Sequence, residues 1–203
     1  YFKSIGIGVL RAREFTRDEA EGAGTRRIAI IDEPLAQRLF PGPGENPVVR
    51  SIDIGVVRLC ERLLQHDPPT DDEVRQAREW ATRETKAAVA GMGSYHTATF
   101  VGTAGTITSL AAMAQKLSAY EPARIHNYQL KLSTIQELEQ TLLSRKKTDR
   151  AGLPSLEKGR EEVIAAGAII IRTIMETLGL SAVLVSDLGL REGVLLDLAM
   201  RTR

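Results

Sequence analysis

Between Thr99 and Leu110 the chain reads Thr-Phe-Val-Gly-Thr-Ala-Gly-Thr-Ile-Thr-Ser-Leu. A short β-branched and aromatic run passes through Gly102-Thr-Ala-Gly-Thr106 and becomes a small-residue helix from about Ile107. That order reads as strand, glycine turn and helix start. Glycine lacks a Cβ, so it admits positive φ and lets backbone N–H groups come close to a ligand. A helix N-terminus adds unpaired N–H donors and a partial positive charge, which together suit phosphate. Thr103 and Thr106 add hydroxyls for capping the helix or for binding a phosphate oxygen. The competing reading is a strand–turn–helix whose glycines do nothing but turn the chain.

The rest of the second half supports the phosphate reading. Ala182-Val-Leu-Val-Ser186 is a second short strand, and Asp187-Leu-Gly-Leu-Arg-Glu-Gly193 is a second glycine turn, leading to a helix that ends near Met200. Long helices separate the strands, so the expected class is α/β with a mixed or parallel sheet, whose ligand edge lies at the strand C-termini. Both turns then fall on that edge.

Outward from this centre, Val49–Ile54 alternates as a half-buried strand and Val56–Leu64 is a short helix. Thr70 or Asp71 caps an amphipathic helix running to about Ala90, with Trp80 on its buried face. Ser133 caps a helix over Thr134–Lys146, and a long Ala- and Ile-rich helix spans about Leu156–Leu178 with Gly179 as its C-cap. Glu121–Leu130 reads as irregular and Lys146–Pro154 as a loop. Pro41-Gly-Pro-Gly-Glu-Asn-Pro47 is a turn or linker and the best internal boundary.

Composition excludes several classes. The 203 residues are 43% hydrophobic and 26% charged with a formal net charge of +1, so no field argues for duplex nucleic acid or an acidic membrane surface. No apolar run approaches the ~20 residues of a membrane span. A single cysteine, Cys60, precludes an internal disulfide, and with no basic-then-apolar leader in view the expected compartment is cytoplasmic. Cys60 itself reads as inert core. His66, His96 and His126 lack metal-ligand spacing, and Ser94-Tyr-His96 is not a nucleophile elbow.

Three segments resemble the exopolyphosphatase / guanosine pentaphosphate phosphohydrolase family. Ser51-Ile-Asp-Ile-Gly-Val-Val-Arg-Leu-Cys-Glu-Arg62 is similar to its Ser-x-x-x-Gly-x-Val-x-Leu-x-Glu segment. Val101–Leu110 is similar to its second glycine-threonine loop. Arg160-Glu-Glu-Val-Ile-Ala-Ala-Gly167, followed by Val185-Ser-Asp-Leu-Gly-Leu-Arg-Glu-Gly-Val194, is similar to its C-terminal signature. The resemblance implies an actin-like, ribonuclease H-related ATPase fold, with residues 48–203 as its second lobe and residues 1–47 as an incomplete remnant of the first. It implies a magnesium-dependent hydrolase that releases terminal phosphate from polyphosphate or the 5′ γ-phosphate of guanosine pentaphosphate.

In the first forty residues the resemblance is looser. Gly8-Val-Leu-Arg-Ala12 is similar to a Thr-x-x-Leu-Arg-x-Ala segment, which makes Arg11 a phosphate candidate. Ile30–Phe40 is similar to the segment supplying the catalytic glutamate, and Glu33 is the nearest acid there, though out of register. The family's Asp-x-Gly-Ser-Asn-Ser and Asp-Ile-Gly-Gly-Gly-Ser-Thr-Glu loops do not occur in the sequence. Either the chain omits stretches of a longer protein, the favoured reading because a fold rarely loses a central strand and keeps its partner, or the catalytic machinery has been lost.

A polyphosphate site needs backbone N–H donors, Arg or Lys, and magnesium, with a carboxylate to position water. Gly102, Thr103, Gly105 and Thr106 are the first candidates for phosphate contacts. Arg191 offers a bidentate contact or an ion pair with Glu192 or Asp187. Arg160, at the start of a buried helix, opposes the helix dipole and so suits an anionic partner, or is a solvated surface arginine. Asp187 caps the last turn or touches a metal-bound water. Two other functions stay open, a phosphonucleotide-sensing module without catalysis and a sugar or acetate kinase of the same superfold. The Ala- and Ile-rich helix is either buried within the lobe or part of a homodimer interface.

Overall fold

The computed structural model describes residue 52, residues 54–91 and 99–189, and residues 192, 193, 195, 198 and 199. Glu33, Arg11 and Arg191, with the stretches around them, lie outside the described residues, as do Ser94 and His96. All the elements below belong to one compact unit, Ile52–Leu195.

A short helix, α1 (Val56–Arg62), buries Leu59 and leads to α2 (Asp71–Val89). Thr70 opens α2 with a capping box. Its hydroxyl accepts from the Glu73 N–H at 3.3 Å, and Glu73 Oε2 accepts from the Thr70 N–H at 2.8 Å. Asp71, Asp72 and Glu73 crowd the positive end of the helix. The buried stripe of α2 is Ala77, Ala81 and Thr85, four residues apart, so its backbone can lie close to a neighbour. Trp80 is half-buried and packs beside that stripe rather than forming it.

Strand β1 (Val101–Thr103) turns directly into α3 (Gly105–Ala114), two residues earlier than the composition suggests. Helix α4 (Pro122–Ile125) and strand β2 (Gln129–Lys131) occupy the stretch expected to be irregular. Proline at the first position of α4 sets its φ, and β2 is extended because it pairs with the next strand. Helix α5 (Leu132–Leu143) starts at Lys131 with no side-chain cap, so Ser133 does not cap it. A four-residue α6 (Lys147–Arg150) replaces the expected loop.

Helix α7 (Ile164–Leu178) begins eight residues later than its periodicity suggests, because Gly159, at φ 90°, breaks the preceding run. Gly179 closes it as expected, in the left-handed region at φ 67°, with Leu180 N–H on the Met175 carbonyl at 2.8 Å. Strand β3 (Ala182–Ser186) follows.

The sheet is mixed, in the order β1–β3–β2. β1 runs parallel to β3 with Thr103 opposite Ser186, and β2 runs antiparallel with Leu130 opposite Val183. Val183, Val185 and Leu130 point into a core shared with α3, α5 and α7. α7 turns its other side, Ala166, Ile169 and Ile170, into a second core with Leu59 and Ala77. Gly167 is where α3 and α7 meet, since a Cβ there would collide with the Thr106 side chain. Among the described residues, no helix is long and apolar enough to cross a membrane.

Candidate functional site: the phosphate edge

Because β1 and β3 are parallel neighbours, their C-termini lie side by side and both glycine turns share one edge. The Thr103 hydroxyl joins them, donating to the Leu188 carbonyl at 3.0 Å, and Ser186 Oγ reaches the same carbonyl at 2.8 Å. At this edge α3 begins with no side-chain cap, and the N–H groups of Gly105, Thr106 and Ile107 precede its first internal bond, Thr108 N–H to the Ala104 carbonyl.

The residue that makes the sharp turn is Ala104, at φ 75° and ψ 172°, and not either glycine. The glycines serve close approach instead. A Cβ on Gly102 would stand 3.0 Å from Ile107 Cγ1 and 3.1 Å from Val183 Cγ2, which is tight against the core. A Cβ on Gly105 would overlap the Arg160 guanidinium. Thr106 packs its side chain on Gly167, so it offers the edge its N–H rather than a free hydroxyl.

Arg160 precedes α7 by four residues, so its charge does not sit in that helix. Its guanidinium lies instead over Gly105, at the positive end of α3. Glu157 Oε2 holds Arg160 Nε at 2.6 Å, and about a third of the side chain stays in water. A cation stacked on a helix N-terminus is mutually repulsive. One carboxylate offsets part of that, and an anion placed between guanidinium and N–H groups would reverse it.

In the second turn the capping carboxylate is Glu192, whose Oε2 accepts from Gly189 N–H at 2.7 Å. Asp187, the expected cap, instead accepts the Tyr120 hydroxyl through Oδ1. Burial pushes the Tyr120 phenol above its usual range, and donation to Asp187 adds to the shift. Tyr120 has no signature in the sequence, being an isolated aromatic in a loop that only the tertiary fold brings to the edge. The same holds for Glu157.

Among the described residues no group of three or more His, Cys, Asp or Glu side chains could hold a metal. Glu157 is engaged by Arg160 and Glu192 by Gly189, which leaves Asp187 as the carboxylate with an oxygen to offer. Magnesium keeps several waters and is held by one or two carboxylates together with substrate phosphates, so it needs no all-protein cage, and the described residues supply none. Cys60 is half-buried, with burial pushing its thiol up, as suits an inert core residue. A broad groove between α2 and α5 contains none of these edge residues, and most of its charges neutralise each other: Arg75 pairs with Asp72 and Glu79, and Arg78 and Arg172 pair with Glu139.

A mixed sheet with helices packed on it, and two glycine turns at one sheet edge, makes an α/β lobe, and its solved neighbours, the Ppx/GppA phosphatases, place it in the actin-like ATPase class. Residues 42–202 match the Ppx/GppA phosphatase family, and the chain belongs to that family. It is 38% identical over 162 residues to exopolyphosphatase 2 of Mycobacterium tuberculosis, covering 77% of this chain and 51% of that protein. Against exopolyphosphatase 1 of Mycobacterium leprae the identity is 30%, covering 78% and 47%. The crystal structure of the Aquifex aeolicus Ppx/GppA family member superimposes with a TM-score of 0.71 at 31% identity, over 78% of this chain and 51% of that one. The chain thus spans about half the length of the relatives it matches.

Proposed function

We propose that this chain is the phosphate-holding lobe of a hydrolase that releases terminal phosphate from inorganic polyphosphate. The observation that carries the reading is the Arg160 guanidinium lying on Gly105 at the uncapped start of α3, on the edge shared with the second glycine turn. N–H groups, a planar cation and a helix dipole converge where one anion would satisfy all three. The names of the relatives support polyphosphate as the substrate. Guanosine pentaphosphate is the finer alternative, with the same terminal anhydride and the same needs at this edge. Magnesium enters the reading as the counter-ion of the phosphate chain. A homodimer is a further expectation, with α7 already committed to two cores of its own lobe.

The test is phosphate release by the full-length protein on polyphosphate and on guanosine pentaphosphate, with magnesium and then with EDTA. Magnesium-dependent release is expected, and the faster substrate names the activity. Arg160→Ala should raise KM about tenfold or more, because a charge-assisted bond to phosphate is lost, and Arg160→Lys should recover only part of it. Nucleotide binding without release from either substrate would replace the hydrolase with a sensing module.

A further inference from the structure

Asp187 is held in a way that phosphate binding by itself does not require. Its Oδ1 accepts the Tyr120 hydroxyl, and its backbone N–H points at His126 Nδ1 at 3.4 Å. Among the described residues nothing occupies its second oxygen. The pair stands on the phosphate edge. Asp187 follows Ser186, the register partner of Thr103, and precedes Leu188, whose carbonyl takes the Thr103 hydroxyl. The Tyr120 phenol lies within reach of Thr108, in the first turn of α3, and close enough to Glu157 to feel its charge. A fixed carboxylate whose second oxygen is unoccupied among the described residues therefore borders the site that gathers N–H groups and Arg160.

Such a carboxylate discriminates between parts of a phosphate chain. It repels a chain that continues past it, since every interior unit carries a full negative charge and no proton. It accepts a hydrogen bond from a terminal unit, which alone has a second ionisable oxygen and so retains a P–OH near neutrality, much as a phosphate monoester does with a second pKa of about 6. Tyr120 fixes the discriminator by occupying Oδ1, so the carboxylate is not free to swing away.

We propose that Asp187, positioned by Tyr120, reads the end of the phosphate chain, admitting a terminal phosphate group and rejecting an interior one. The proposal rests on the phosphohydrolase reading and deepens it by assigning the choice of terminal over interior phosphate to two named side chains. The chemistry recognised, a terminal phosphate with its P–OH, is the same on an inorganic chain and on a nucleoside triphosphate.

The experiment compares binding of linear tripolyphosphate, cyclic trimetaphosphate (which has no end) and GTP to the full-length protein by calorimetry in magnesium-containing buffer. Wild type is expected to favour the linear over the cyclic phosphate by about tenfold or more. Asp187→Asn should bring that ratio toward one, chiefly by admitting the cyclic ligand, and Tyr120→Phe should shift it the same way by a smaller factor. Any change in GTP affinity should follow that of linear tripolyphosphate. A thermal melt of each variant checks folding, and Tyr120→Phe carries the test if Asp187→Asn does not fold. An unchanged ratio in a folded variant that still binds the linear ligand overturns the proposal and leaves the phosphate edge intact. Loss of GTP binding alone overturns it as well, because the carboxylate would then be reading the ribose. Failure of wild type to bind any of the three overturns the phosphohydrolase reading and this proposal with it.

Discussion

Ala104 shows how one residue at the edge is constrained. At φ 75° and ψ 172° it occupies a region where glycine alone is at ease, at a cost of about 1–3 kcal/mol. Ala104→Gly should therefore stabilise the protein by about 1 kcal/mol after the extra freedom of the unfolded glycine is counted, as measured by urea denaturation. Lower stability in the variant would show the turn to be unstrained. From the sequence, the positive φ belongs to Gly102 or Gly105, since they lack a Cβ. The fold uses both for a different reason. Each is small because something packs on it, Ile107 and Val183 in one case and Arg160 in the other. Local chemistry reveals that a small residue is present, but not which distant group needs the space.

At the scale of elements, the start of α2 was readable because its determinants are three residues apart. Thr70→Ala should cost about 1 kcal/mol, measured as a shift in the denaturation midpoint. Glu73 adds a pH dependence. Burial works against its charged form, but the His66 ring and the N–H groups of Thr70 and Gln65 outweigh that and hold its carboxyl down to about 2. A carboxyl lowered on folding stabilises the protein above its unfolded value of about 4.5 and loses that contribution as pH falls toward 2. The melting difference between wild type and Glu73→Gln should therefore be largest above pH 5 and shrink toward pH 2. A constant difference across that range would remove Glu73 from the account. Elements set by partners were not readable. β2 lies in a stretch of weak strand pattern and is extended because Leu130 lies opposite Val183. α5 starts at Lys131 because the chain leaves β2 there, so Ser133 falls inside the helix.

For the molecule as a whole, α7 is the shared wall of both cores, and a buried charge cluster fixes its neighbours. Glu139 is fully buried on α5, bonded to Arg78 of α2 at 2.8 Å and to Arg172 of α7 at 2.5 Å. Glu176 takes Arg172 Nε at 2.7 Å and Gln136 Nε2 at 2.9 Å. Removing the Glu139 charge leaves Arg78 and Arg172 facing each other, with Glu176 still on Arg172 alone. Glu139→Gln should destabilise the protein by about 3 kcal/mol, the low end for a buried pair, because the Arg78 and Arg172 side chains stay 34% and 23% exposed. Urea denaturation measures it, and a loss under about 0.5 kcal/mol would make the cluster incidental. Helical spacing puts Glu139 on the buried stripe, four residues from Ile135 and three from Leu142, but it does not name the arginines from two other helices that meet it there.

By itself the sequence determined the strand–turn–helix at Val101–Ala114, the capped start of α2, the glycine end of α7, the strand at Ala182–Ser186 and the meeting of both glycine turns on one edge. Each depends on residues close in the chain, or on the rule that parallel strands end together. Only the tertiary structure decided that Arg160 lies over α3 instead of at the head of its own helix, that Ala104 and not a glycine carries the turn, and that Tyr120 pins Asp187. Those placements depend on the packing of loops distant in sequence, where one side chain's position is set by what occupies the space beside it, and no local pattern records that.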